Sequence, residues 1–302
     1  MHGIGERDRH DDGEGARFRA LPGTLYVVAT PLGNLRDITL RALDVLGSAD
    51  VVAAEDTRVT AILLRHYGIA TRARSLHEHN EAQRAVEIVD LLRAGRSVAL
   101  VSDAGTPAIS DPGARLVRAA HDAGLPVVPI PGGNAAIAAV SAAGLEADRL
   151  VFVGFLPTGG KARRELLGAL RELPAGLVIY DSPRRIRATV AQLAQALGET
   201  RRLVIAREVT KKFESITRMA LGEADAWFAA DANRERGEFV LLVDAPPERV
   251  VPRFGEGAID TRALLVALLA ELPPARAARV AAQATGVPRD VLYAQALTLK
   301  GD

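Results

Sequence analysis

The sequence predicts two α/β domains followed by a small helical extension. Three observations predict it. Up to about residue 145, short apolar runs alternate with amphipathic stretches, the signature of a parallel sheet covered on both faces. From Leu150 onward the alternation becomes mixed, which adds an antiparallel component. A segment rich in Pro and Gly (Pro246, Pro247, Pro252, Gly255, Gly257) then precedes three helical stretches. The expected organisation is a disordered tail over 1–21, an N-terminal α/β domain over 22–148, a C-terminal α/β domain over 149–246, a linker over 247–259 and a helical extension over 260–302.

The 302 residues are 48% hydrophobic and 25% charged, with mean hydropathy +0.10. That sustains ordinary packed cores and excludes a mostly disordered chain. The absence of cysteine removes disulfides, thiolate nucleophiles, iron–sulfur clusters and Cys-based zinc sites. No apolar run reaches the ~18 residues that span a bilayer. Met1–Arg19 is charged and Gly-rich and lacks the apolar core of a signal peptide. A cytoplasmic protein with no membrane partner is therefore expected.

The elements follow in order. Thr24–Ala29 reads as a buried strand, Thr39–Leu46 as an amphipathic helix, Asp50–Ala54 as a strand and Val59–His66 as a helix. A longer helix covers Ala82–Arg93 and stops near Gly95, and Ser97–Val101 is another apolar strand. Asp111-Pro112 has the form of a helix start, a capping carboxylate followed by Pro at the first helical position. That helix runs to Asp122, Pro126–Ile130 is a strand, and Asn134–Ala143 is a helix of small residues. In the second half Leu150–Leu156, Leu177–Tyr180, Leu203–Ala206, Phe213–Met219 and Glu238–Val243 read as strands. Lys161–Leu170, Arg184–Leu197 and Ala224–Ala230 read as helices. Past the linker, Thr261–Glu271, Ala275–Ala284 and Arg289–Leu299 are helices, the last two joined by a Gly-containing turn as in a helix-turn-helix.

Loops at the carboxyl ends of the strands form the ligand crevice of an open α/β sheet. Four are informative: Thr30–Leu35, Glu55–Arg58, Ser102–Ser110 and Pro131–Asn134. The small residues of Ser102–Pro107 let backbone N–H groups approach a ligand, and Asp103 accepts from a hydroxyl or an amine. Pro131-Gly132-Gly133-Asn134 opens a helix whose first turn suits a polar or anionic group. No G-x-G-x-x-G follows a strand and no Walker A sequence is present, so nicotinamide and P-loop chemistry lose their main support. Glu55 and Asp56 stand where a base, a hydroxyl acceptor or a metal ligand belongs, with helix capping as the structural alternative for Asp56. His77 and His79 are two apart with no third ligand at metal spacing, so no metal is expected. Net charge is +1, but Lys161–Arg218 holds 13 Lys/Arg against six Asp/Glu, a net +7 that points to a polyanionic partner or to solvated helix faces.

The blocks TLYVVATPLGNLRDIT, AAEDTR, HEHN, SDAGTPAISDPG, PGGNA, FVGFLP, YDSPRR, REVTKKFE and GEFVLLV, in that order from Gly23 to Val243, resemble the ribosomal small-subunit RNA methyltransferases. These belong to the tetrapyrrole-methylase-like (class III) S-adenosylmethionine-dependent methyltransferases. The helical tail resembles the extension that many members carry. The resemblance implies two α/β domains with the cofactor in the cleft between them, usually in a homodimer. It implies 2′-O-methylation of a cytidine in the decoding region of 16S rRNA, nucleotide 1402 in the standard numbering, within the 30S subunit. The first loop lacks the Gly-Pro-Gly of the wider superfamily, and Ser102-Asp103-Ala104 replaces the Gly-Asp-Pro of its small-molecule members. Both departures count against a tetrapyrrole substrate. That substrate and a non-catalytic RNA-binding assembly factor are the alternatives.

Carried over block by block, S-adenosylmethionine is placed against Pro31, Leu32, Asp103, Gly105, Thr106, Asn134 and Ala135, with Tyr180, Asp181 and Ser182 as a second wall. The base candidates are Glu55 and Asp56, with Glu208 or Lys211 behind them; the lysine needs a lowered pKa. Arg58, His77, Arg184, Arg185, Lys211 and Lys212 are the expected RNA contacts.

Overall fold

A computed structural model describes residues 18–77, 80–171, 173–246, 261–285 and 287–301. The expectations for residues 1–17, for His79 and for the linker over 247–259 lie outside them. The chain divides into two compact units, Met1–Pro246 and Pro247–Asp302.

The first unit contains two sheets. In the first, β1 (Leu25–Val28), β2 (Val51–Ala54), β3 (Ala73–Ser75), β4 (Val98–Val101) and β5 (Val127–Ile130) are all parallel, in the order β3-β2-β4-β1-β5. Their apolar runs are continuous because both faces are covered. On one face Tyr26 and Val28 pack with α1 (Leu40–Ser48) and α2 (Thr57–His66). On the other, Leu25 packs with α3 (Glu81–Arg93) and α4 (Ala114–Asp122). The alternation along β1 is what divides its side chains between the two layers. The edge strand β3 is absent from the sequence expectation, since three residues reading ARS carry no apolar pattern.

In the second sheet β6 (Leu150–Phe155), β7 (Gly176–Asp181), β8 (Arg202–Arg207), β9 (Ser215–Ala220) and β10 (Phe239–Val243) lie in the order β6-β7-β10-β8-β9. Only the β6–β7 pair is parallel. Phe239, Leu241 and Val243 face a core shared with α6 (Gly160–Arg171), α7 (Ile186–Leu197) and α8 (Ala224–Ala229). Val240 and Leu242 face the other way, onto α5 (Ala135–Ala143). This helix follows the last strand of the first sheet yet buries Ala136, Ala139 and Ala143 against the second. Its small side chains let it lie close to the strands, and it joins the two sheets.

Two helices start two residues or more later than the sequence reading. The helix after Pro112 begins at Ala114, and Asp111 does not cap it. Gly113 takes φ +125, and Glu81 Oε1 accepts from the N–H groups of Gly113 and Arg115, both at 2.9 Å. Helix α7 begins at Ile186, two residues past Arg184, because Ser182 and its neighbours form a turn first. In the second unit α9 (Thr261–Glu271), α10 (Pro274–Thr285) and α11 (Arg289–Gly301) enclose Leu265, Ala278, Ala281, Leu292 and Ala296.

Candidate active site

β1 and β4 are neighbours whose connections leave in opposite directions, toward β2 and β5, and a crevice opens at their carboxyl ends. The loops that follow them are stitched together there. Thr30 N–H donates to Gly105 O at 2.8 Å, Gly105 N–H returns to Thr30 O at 3.1 Å, and the Thr30 hydroxyl donates to Ser102 O at 3.2 Å. A third loop closes on them: the Thr106 hydroxyl donates to Gly133 O at 3.0 Å. A Cβ on Gly133 would stand 2.9 Å from Thr30 O, so only glycine allows that approach. Asn134 then caps α5, its Oδ1 accepting from Ile137 N–H at 3.1 Å. The second sheet is fastened to the same turn, where the Tyr180 hydroxyl accepts from Ala136 N–H at 3.1 Å.

Between these elements lies a cavity of about 350 Å³. The first sheet's loops contribute Leu32, Glu55, Asp103, Gly105, Thr106, Asp111, Asn134 and Ala135 to its wall. The second sheet contributes Phe155, Tyr180, Asp181, Ser182, Val209, Glu238, Phe239 and Val240. The acids are linked. Asp103 Oδ1 accepts from Asp56 N–H at 2.9 Å, and Glu55 Oε2 from Asp103 N–H at 3.4 Å. Burial pushes the Glu55 carboxyl up, and the Asp103 and Asp56 charges add to this against the pull of the Asp103 N–H. Asp111 is pushed up to about 6, by burial first and then by Glu55, with a Ser102 hydrogen bond working the other way. Asp181 is buried; its Oδ1 accepts from Ser182 N–H at 2.8 Å, and its buried Oδ2 has no partner among the described residues.

Non-Gly residues in the left-handed region flank this cavity: Ala108 (φ +66), Ser110 (+63), Glu208 (+52) and Thr210 (+68). Each costs on the order of 1–3 kcal/mol, and such strain collects at functional sites. All four lie in the two loops, 102–113 and 208–214, that carry Asp111 and Val209.

Nine of the ten residues expected at the cofactor line this cavity, while Pro31 is buried and is not part of the wall. Several other expectations are corrected. Asp56 is not a free base: its Oδ1 accepts from Arg58 N–H at 2.8 Å as the α2 cap, and the Arg58 side chain pairs with it at 2.5 Å. These bonds hold its pKa down at about 2. Lys211 is the reverse of a lysine base. Burial pulls its pKa down, but bonds to Glu238 at 2.8 Å and Glu208 at 3.0 Å win and raise it. Glu208 in turn stays low, because Glu238 N–H and Lys211 outweigh its burial. Arg185 is no surface cation: it donates to Leu156 O at 2.6 Å and lies 3.7 Å from the Asp181 carboxylate. His77 sits before α3, its N–H donating to Asn80 Oδ1 at 2.8 Å, away from the cavity wall. Arg58, Arg184 and Lys212 are exposed.

The basic segment is also less available than its count implies. Arg163 donates to Pro157 O and Gln192, Arg187 pairs with Asp225 and Glu235, Arg201 is buried against Asp244 O, and Arg202 lies near Glu146 and Asp244. Much of the +7 is structural. Sequence reasoning missed Phe155, Val209, Glu238, Phe239 and Val240 in the wall. Their only signal was position, at the carboxyl end of β6, after β8 and at the start of β10. No group of three or more His, Cys, Asp or Glu among the described residues forms a metal site.

The class follows from this architecture. A model of the tetrapyrrole (corrin/porphyrin) methylases matches residues 24–225, and one of the RsmI C-terminal helix-turn-helix domain matches residues 255–300. The fold is that of uroporphyrin-III C-methyltransferase from Thermus thermophilus, at TM-score 0.53 and 21% identity, over 74% of this chain and 94% of that one. Cobalt precorrin-4 methyltransferase gives TM-score 0.56 at 20% identity, over 74% and 95%. A further structure of the Thermus enzyme holds S-adenosylhomocysteine. The particular family comes from closer relatives. Ribosomal RNA small subunit methyltransferase I of Pseudomonas aeruginosa is 49% identical, over 92% of this chain and 98% of its own length. That of Escherichia coli O157:H7 is 47% identical, over 92% and 96%. The chain belongs to the ribosomal RNA small subunit methyltransferase I family.

Proposed function

We propose that this chain transfers the methyl group of S-adenosylmethionine to the 2′ oxygen of a cytidine ribose in the decoding region of 16S rRNA, in the 30S subunit. The observation that carries the reading is the acid-rimmed, partly apolar cavity at the switch point of a chain of this family. The donor, when bound, supplies an electrophilic methyl on a cationic sulfonium. The residues fit it. The Glu55, Asp103 and Asp181 carboxylates complement sulfonium and ammonium charge, and the buried Asp181 Oδ2 lacks a partner among the described residues. Leu32, Val209, Phe239 and Val240 shed water from an adenine or thioether.

In-line displacement needs alignment above all, worth roughly 7–11 kcal/mol when the reacting atoms are held in place. The stitched loops supply that rigidity. On the RNA side, Arg184 and Lys212 are exposed cations that can meet phosphate, and Arg58 is exposed but already paired with Asp56. Phe155, 52% exposed and edge-on to Tyr180, offers a ring on which a base stacks. Action as a homodimer in the cytoplasm completes the reading, on the strength of the family resemblance.

The test is tritiated methyl transfer to 30S subunits lacking this modification, followed by nucleotide mapping. Label on the ribose of the decoding-region cytidine is expected. Label on a base or on another nucleotide, or transfer only to a porphyrinoid, overturns the reading. Lys212→Ala is expected to weaken 30S binding and lower its salt slope by about 1.

A further inference from the structure

We infer that Asp111 is the catalytic base, the group that takes the proton from the ribose 2′-hydroxyl during transfer. The inference rests on the reading above and assigns a role within it.

Asp111 lacks the structural job that its sequence context suggests. Asp-Pro before a helix is a capping signature, yet the N–H groups of Gly113 and Arg115 are satisfied by Glu81, which reaches across from α3. The Asp111 carboxyl is thereby released from its own helix. It stands half-buried on the cavity wall. The loop that carries it is held in a costly shape, with Ala108 and Ser110 both left-handed.

The other acids of the wall each hold a backbone N–H or a cation, although Asp181 Oδ2 stays without a partner among the described residues. Asp103 accepts from Asp56 N–H and Glu55 from Asp103 N–H. Asp181 serves Ser182 N–H and Arg185, and Glu238 holds Lys211. Asp111 lies near the Ser102 hydroxyl and is faced by Glu55 from the end of β2, Asp103 from the end of β4 and Tyr180 from β7. Burial and these carboxylates raise its proton affinity toward the working range of a base at neutral pH.

The step balances. The 2′ oxygen bonds to the methyl carbon as the carbon–sulfur bond breaks, its electron pair staying on sulfur. The hydroxyl proton goes to an Asp111 carboxylate oxygen and from there to water. The products are the 2′-O-methyl ribose and S-adenosylhomocysteine.

Single-turnover transfer to unmodified 30S subunits by the full-length protein tests this, across pH 5 to 9. Asp111→Asn is expected to lose roughly 10²–10⁴ in rate, while calorimetric binding of S-adenosylmethionine is kept. The wild-type rate rises through an acid limb near pH 6, and the variant lacks the limb. Asp111→Ala supplies a second reading, with its rate partly restored by added formate. An Asp111→Asn enzyme with the wild-type rate, or with the limb intact, overturns the assignment, as does loss of the limb in Glu55→Gln alone. A wild-type enzyme that labels no ribosomal RNA removes the proposed function, and the base with it.

Discussion

A carboxyl group that gives up water for the company of two other carboxylates holds its proton more tightly, and Asp111 records the cost. Its folded pKa of about 6 lies above the ordinary 3.8. The folded state therefore binds more protons than the unfolded one between these values, and stability falls as pH rises from about 4 through 6. Above that range the deficit is constant. Asp111→Asn removes it, so the variant is expected to be more stable than wild type at pH 8 by about 1–2 kcal/mol, allowing for screening of a half-exposed group. The gain vanishes at pH 4. Urea denaturation at the two pH values measures it, and an equal gain at both would mean the carboxylate carries no such strain. Glu81 is the complementary case. Glu81→Ala leaves the Gly113 and Arg115 N–H groups without their acceptor and is expected to cost about 1–3 kcal/mol. Glu81→Gln, which keeps an amide oxygen, should cost less; a urea midpoint unchanged in the Ala variant would refute the cap. Sequence reading could not find this bond. Local signals favoured Asp111, and the residue that won is 32 positions from Gly113 in the chain. The cations failed for the same reason. Arg185 and Lys211 count as surface charge in a sequence and become structural only when Leu156 O, Asp181, Glu208 and Glu238 are brought beside them.

At the scale of elements, periodicity carried the reading well. Strands buried on both faces, such as β4 (VALV) and β10 (FVLLV), have no polar position to blur them. The three-residue β3 has no such pattern and was invisible. The cavity wall was half legible. Loops after strands of the parallel sheet announce themselves by small residues, whereas the second sheet's contribution depends on which strand ends face α5. That helix is the joint of the site, with alanines against the second sheet and its N-terminus beside Gly133 and Thr106. Gly133→Ala tests the joint. The new methyl meets backbone, Thr30 O, as well as Leu32. Backbone does not yield as a side-chain tip does, so a loss of about 1–3 kcal/mol is expected, with weaker calorimetric binding of S-adenosylmethionine. Full affinity and stability together would mean the loops have slack and the stitching is not what shapes the cavity.

For the whole molecule, the division of labour between the two units is the remaining consequence. Everything that forms the cavity belongs to Met1–Pro246, in which α5 joins two sheets, each with two buried clusters of its own. The second unit has a core of its own, built on Leu265, Ala278, Ala281, Leu292 and Ala296. It exposes Arg276, Arg279 and Arg289. A chain ending at Pro246 is therefore expected to fold, to unfold in one cooperative transition near the wild-type urea midpoint, and to bind S-adenosylmethionine with wild-type affinity. Binding to 30S subunits is expected to weaken and to depend less steeply on salt, since each phosphate that the shortened chain leaves unneutralised takes about 0.7–0.9 from the slope of log affinity against log salt. The two readouts separate the possibilities. An unchanged slope would show that the extension neutralises no phosphates. A truncated chain that fails to bind S-adenosylmethionine would show that Pro247–Asp302 is part of the cofactor-binding machinery, and the cavity in the first unit would not be sufficient to hold the donor.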